Sequence, residues 1–244
     1  MKEVKQIDGL NETQQIEEPD LLLGSSNRQK VFRALLIQRW AAILGILSLG
    51  VLYLFLSDRL IVSFIPRWLP LALEIVLILP LAYGLLMRRR LPQRLLRILG
   101  FLLAGIATLA LVTSIALLLA TLPERASRDS ITLVRDAAIL WISNILVFGL
   151  WYWELDGGGP LKRHKANHKA IDFMFPQQVD GDTDGWAPHF IDYVFLAFNT
   201  ATAFSPTDTA PLSRPAKVLM MIESLISLII VAGIAARAIN ILGG

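Results

Sequence analysis

The fold class this sequence predicts is an all-α polytopic membrane protein, with five transmembrane helices and one re-entrant pore-type helix. Three observations predict it. Hydrophobic residues make up 55% of the 244 residues and charged residues 18%, below the roughly 25% of a soluble domain, and mean hydropathy is +0.56. The apolar residues gather in long blocks, as in bilayer-spanning helices rather than the short alternating segments of a membrane barrel. Ahead of the last block, a short amphipathic stretch runs into Ser205-Pro206, which stops a helix before it can cross.

Residues 1–30 are polar and of mixed charge and read as an N-terminal tail. No apolar h-region follows Met1, so no cleaved signal peptide is expected. Residues 31–130 read as a three-helix membrane bundle. Its first block, 32–56, is flanked on the tail side by Arg33 and Arg39. The second, 68–87, holds Pro70, Pro80 and one acid, Glu74, and is followed by Arg88, Arg89 and Arg90. The third, 98–122, carries no charge. It exceeds the roughly 20 residues a crossing requires, which implies tilt.

Residues 131–244 read as a pore-like module. An outer helix, 131–153, ends in the interfacial aromatics Trp151, Tyr152 and Trp153. A polar connection, 154–189, opens on Gly157-Gly158-Gly159-Pro160, which stops the helix. A re-entrant helix, 190–204, a filter-like hairpin, 205–215, and an inner helix, 216–242, complete it. Five crossings put the termini on opposite sides. Arg28, Lys30, Arg33, Arg39, Arg88, Arg89, Arg90, Arg94, Arg97, Lys162, Arg163, Lys165 and Lys169 then share one side, against Arg59, Arg67, Arg125 and Arg128 on the other. The positive-inside rule places the N-terminus in the cytoplasm and the C-terminus outside. The loop would therefore enter from the cytoplasmic side.

Asp192, Phe195-Leu196-Ala197-Phe198-Asn199-Thr200-Ala201-Thr202, and then Asp208, Pro211, Ser213 and Lys217 resemble the pore helix, post-filter acid and inner-helix start of tetrameric potassium channels. Glu223 and the small residues from Ala232 to Ala236 fit an inner helix of that kind. Trp151-Tyr152-Trp153-Glu154-Leu155-Asp156-Gly157-Gly158-Gly159-Pro160 and the 200–209 stretch also resemble an uncharacterised bacterial membrane-protein family, a resemblance over the C-terminal hundred or so residues that implies no established activity. The potassium resemblance implies a pore loop and a homo-oligomer, a tetramer by preference, because one module cannot enclose a pore. The glycine filter is replaced by Ala203-Phe204-Ser205-Pro206-Thr207. Non-glycine residues resist the backbone angles of a carbonyl filter, and Pro206 fixes its own φ.

Side chains would then select: the hydroxyls of Thr200, Thr202, Ser205, Thr207 and Thr209, beside Pro206, and the carboxylate of Asp208, which favours inorganic cations. The same stretch also reads as a surface-lying amphipathic helix with a Pro-rich turn, or as a transporter's broken helix with an ion site. The expected function is a cation-permeable channel or channel-like protein. The alternatives are a secondary transporter and a non-conducting scaffold or sensor. Glu74 and Glu223 are intramembrane acids, a costly and often functional placement. Each also reads as an interfacial acid reaching water, and Arg135 and Asp136 read as interfacial.

No catalytic constellation, phosphate loop or cofactor motif is present, so no enzyme is expected. His164 and His168 sit one helical turn apart among lysines and read as a basic juxtamembrane segment facing lipid headgroups rather than a metal site. Basic residues lie between apolar blocks, so no nucleic-acid partner is expected. A compact, multi-pass chain of this kind suits a bacterial inner membrane.

Overall fold

The computed structural model describes residues 43–62, 66–86, 93–122, 130–166, 168–179, 186–202 and 208–242. They are mostly helical. The helices are α1 (Ile43–Phe55), α2 (Leu69–Leu86), α3 (Gln93–Thr121), α4 (Ser130–Leu155), α5 (Pro160–Lys165), α6 (Phe190–Thr202) and α7 (Arg214–Leu242). Two short strands, β1 (Phe173–Met174) and β2 (Ala210–Pro211), pair antiparallel, with Phe173 opposite Pro211 and Met174 opposite Ala210.

Among the described residues, three helices are long and apolar enough to cross a membrane, over Arg97–Thr121, Ile131–Gly158 and Arg214–Ala235. The apolar helices Ile43–Phe55 and Leu69–Pro80 are shorter. The N-terminal tail and the Arg88, Arg89 and Arg90 run lie outside the described residues.

Helix α4 is the centre of the fold and packs against α3, α6 and α7. Its sequence explains this. Leu133, Ala137, Leu140, Val147, Phe148, Tyr152 and Trp153 are all buried, so apolar contact is offered around most of its circumference. Helix α7 is the opposite case. Ala216, Glu223, Ser227 and Ile230 are buried along one seam, while Val218, Met221, Leu225 and Leu228 point outward.

The start of α4 is tied to the turn after α1. Asp136 is fully buried. It accepts hydrogen bonds from the Ser57 hydroxyl (2.6 Å) and backbone N–H (3.3 Å), and Arg135 lies 3.2 Å away. Asp136 is shielded from water rather than reaching it: a serine distant in sequence and its neighbouring arginine satisfy it.

Candidate functional site

Helix α6 lies antiparallel to α4. Near its start, Phe190 and Tyr193 stack edge-on against Trp153, with ring centroids at 6.0 and 5.6 Å. One turn further on, Val194 fits against Gly149 so closely that a Cβ there would lie 3.2 Å from Val194 Cα. Near its end, Phe198 meets Trp141 at 5.9 Å. With 13 residues against the 26 of α4, α6 is about 20 Å long at 1.5 Å per residue, roughly half the length of α4. By β2 the chain is back at the other end of that path, because β2 pairs with β1 and the β1 residue Phe173 stacks on Tyr152 at 5.1 Å. Helix α7 then descends beside both.

The three helices meet along a polar seam. Glu223, on α7, is fully buried. The Tyr152 hydroxyl donates to its Oε2, and Asn144 Nδ2 donates to its backbone carbonyl at 3.4 Å. Its Oε1 and Asn144 Oδ1 have no hydrogen-bond partner among the described residues. One turn deeper, Ser224 Oγ donates to the Thr200 carbonyl (3.3 Å), Ser227 Oγ donates to the Ala201 carbonyl, and Trp141 Nε1 donates to Ser227 Oγ (3.0 Å). These contacts occupy carbonyls at the frayed end of α6, which have no partner within the helix. Glu223 does not reach water: Tyr152 and Asn144, on α4, enclose it.

Of the predicted pore residues, Thr200 is buried and its hydroxyl donates back to the Leu196 carbonyl at 2.9 Å. Thr202 is half-buried and donates to the Asn199 carbonyl at 3.1 Å. Asp208 is exposed and Thr209 is buried. Ser205, Pro206 and Thr207 lie outside the described residues. Glu74 is not brought to this seam; it is buried in the α1–α4 bundle.

The polar connection folds against α6, and one residue of its basic half, Arg163, is buried there rather than facing lipid. Arg163 is 2% exposed. Its Nη1 donates to the carbonyls of Trp153 (3.1 Å) and Asp156 (2.8 Å) and lies 3.7 Å from Asp156 Oδ2. The guanidinium sits over the rings of Trp153 and Tyr193, at 4.7 and 5.0 Å, two cation–π contacts made in the corner between nearly perpendicular rings. Asp156 also accepts the Tyr193 hydroxyl and the backbone N–H groups of Asp172 and Phe173 (3.3 Å each). One arginine–aspartate pair thus joins the end of α4, the connection and the start of α6. The turn that makes this possible is Gly157-Gly158-Gly159, with φ of 60°, 75° and 99°, angles at which any side chain is strained.

Beside it, His164 Nδ1 and His168 Nε2 are 3.2 Å apart. Burial, helped by His164, Arg163 and His189, lowers the His168 pKa to about 4. His168 is therefore neutral at pH 7. Unfolding returns it toward its ordinary value of 6.5. The unfolded chain then binds more protons below pH 6.5, and this contribution to stability is lost as pH falls from 6.5 toward 4. His168→Asn, which tolerates the observed φ of 55°, should flatten that part of the melting temperature–pH curve. An unchanged slope would show that His168 does not titrate on unfolding. Among the described residues, no group of three or more His, Cys, Asp or Glu side chains is placed to hold a metal.

No family model, curated protein or solved structure matches this chain, so the α4–α6–α7 geometry itself carries the functional reading.

Proposed function

We propose that this protein is a cation-permeable membrane channel or channel-like protein, a homo-oligomer in which residues 190–211 form a re-entrant pore loop. Asp208 and the hydroxyls of the 200–209 stretch act as its selectivity element. The observation that supports this is the path of α6. It follows α4 for about half its length, and the chain is back beside the end of α4 at β2. A segment that enters and leaves on one side is tolerated at membrane depth where protein covers it, and here α4 and α7 do so. Helix α7 has only 17% of its apolar span buried within the chain, which leaves a face for neighbouring copies and lipid. A ring of such copies, four by analogy, would bring one Asp208 per chain to a common axis.

The test is flux through proteoliposomes containing the purified full chain. Wild type should pass monovalent cations. Asp208→Asn should lower cation flux about tenfold, the lower end of what a charged constriction contributes by concentrating counter-ions. Absence of cation flux from folded oligomeric protein would overturn the proposal. The chain has no cysteine, so Asp208→Cys offers a unique thiol. Its labelling by a membrane-impermeant maleimide in inverted but not right-side-out vesicles is the expected result for entry from the cytoplasm.

A further inference from the structure

A second buried acid lies in the bundle of α1 to α4, away from the α6 seam. Glu74, on α2, is 4% exposed, and its Oε2 has no hydrogen-bond partner among the described residues. The backbone amide of Gly50 faces the carboxylate. A Cβ at Gly50 would collide with Glu74 Oε2 and Leu71, so the glycine is what admits the carboxyl group between α1 and α2. The carboxyl group lines a cavity of about 30 Å³ whose other polar walls are Tyr53, Ser114 and Ser143. That is room for about two water-sized particles. The Ser114 hydroxyl donates to the Leu60 carbonyl at 3.2 Å and is hydrogen-bonded to the Tyr53 side chain, which leaves one lone pair of its oxygen for the cavity. No Lys, Arg or His lines it.

A lone carboxylate in such a place is strongly disfavoured: removing one ion from water costs several kcal/mol unless a partner compensates it. The lining offers no cationic side chain, so the acid either keeps its proton or pairs with a cation from outside the chain. The donors are all hard oxygens, which suit alkali and alkaline-earth ions rather than softer metals. A single carboxylate supplies one negative charge, matched by a monovalent ion. Divalent oxygen sites gather more ligands and more charge.

We propose that Glu74, with the hydroxyls of Tyr53, Ser114 and Ser143, binds one monovalent cation of sodium size inside the α1–α4 bundle, in exchange for its carboxyl proton. The exchange balances: the protonated acid and a sodium ion give the carboxylate–sodium pair and a free proton. The site does not depend on the pore loop and would be present whether or not the protein conducts.

The experiment is proton release from the full chain in detergent, followed with a pH indicator at neutral pH in weakly buffered choline chloride. Added NaCl should release protons stoichiometrically with protein. The half-saturating concentration should rise about tenfold per pH unit on acidification, as proton competition for one site requires. Glu74→Gln should abolish the release. Tyr53→Phe and Ser143→Ala, which keep the acid, should raise the half-saturating concentration severalfold while preserving the stoichiometry. The proposal is overturned if sodium, lithium and potassium release no proton from wild type. Equal release from Glu74→Gln would also overturn it. So would Tyr53→Phe and Ser143→Ala curves that overlay wild type.

Discussion

Arg163→Met should destabilise the folded protein by about 3–5 kcal/mol, the usual cost of removing one member of a buried ion pair. The reason is what the substitution leaves behind. Asp156 stays buried without its cationic partner. The carbonyls of Trp153 and Asp156 lose their shared donor. Methionine restores much of the volume, so the loss reports the charge and the donors rather than a void. Arg163→Lys should recover only part of it. An ammonium is a compact, strongly hydrated charge that cannot present a planar fork or lay a delocalised face on an aromatic ring. Unfolding midpoints of the purified variants in mild detergent, together with the fraction surviving size exclusion after heating, measure the effect. A wild-type midpoint for Arg163→Met would show that this ion pair does not hold the fold.

The second large effect is expected at Gly149. A leucine there must place its Cβ 3.1 Å from Val194 Cγ2 and 3.2 Å from Val194 Cα. Crowding against the Cγ2 methyl is relieved by a rotamer change of Val194. Crowding against the backbone is not, so α6 has to move off α4. That displacement pulls Thr200 and Ala201 away from Ser224 and Ser227. The expected destabilisation is about 1–3 kcal/mol, as for other overpacked sites. Cation flux should be lost altogether, because the loop is no longer held at depth. Gly149→Ala, with only the Cβ to accommodate, should show a smaller loss of both. Gly149→Leu protein that conducts like wild type would contradict the requirement for close α4–α6 approach.

Much of the helical layout is legible in the sequence because it rests on local signals. The uncharged block 98–122 overlaps α3 almost throughout, and 131–153 lies within α4. The amphipathic stretch 190–204 contains α6, and the inner helix expected over 216–242 is observed as Arg214–Leu242. Composition and breakers act over a few residues, so one chain read from end to end reveals them. The burial of Arg163 is hidden for the complementary reason. Four cationic side chains in a polar stretch resemble a solvated face. What buries this one is a carboxylate at the end of α4 and two aromatic rings, one of them on Tyr193, far downstream. The signal that points to it is the company it keeps. Phe173, Phe175 and Trp186 in an otherwise polar connection are too apolar for a solvated linker, and Phe173 and Phe175 are indeed buried. The environments of Asp136 and Glu223 are hidden likewise, since the partners Ser57 and Tyr152 are distant in sequence.

The small β1–β2 ladder bears on how the chain assembles. Phe173 and Met174 leave the ribosome well before Ala210 and Pro211, their partners. The earlier strand is held by Asp156, which accepts the Phe173 N–H, and so is anchored on α4 as soon as that helix is in place. Helix α6, at 13 residues, is too short to be inserted as a span of its own. It has to be received by a surface already built. Biogenesis should therefore run in a fixed sequence: α4 with its glycine turn first, the anchored strand next, and α6 last, latched when β2 reaches β1. Nascent chains arrested before β2 should leave α6 open to protease, and chains extended past Pro211 should protect it.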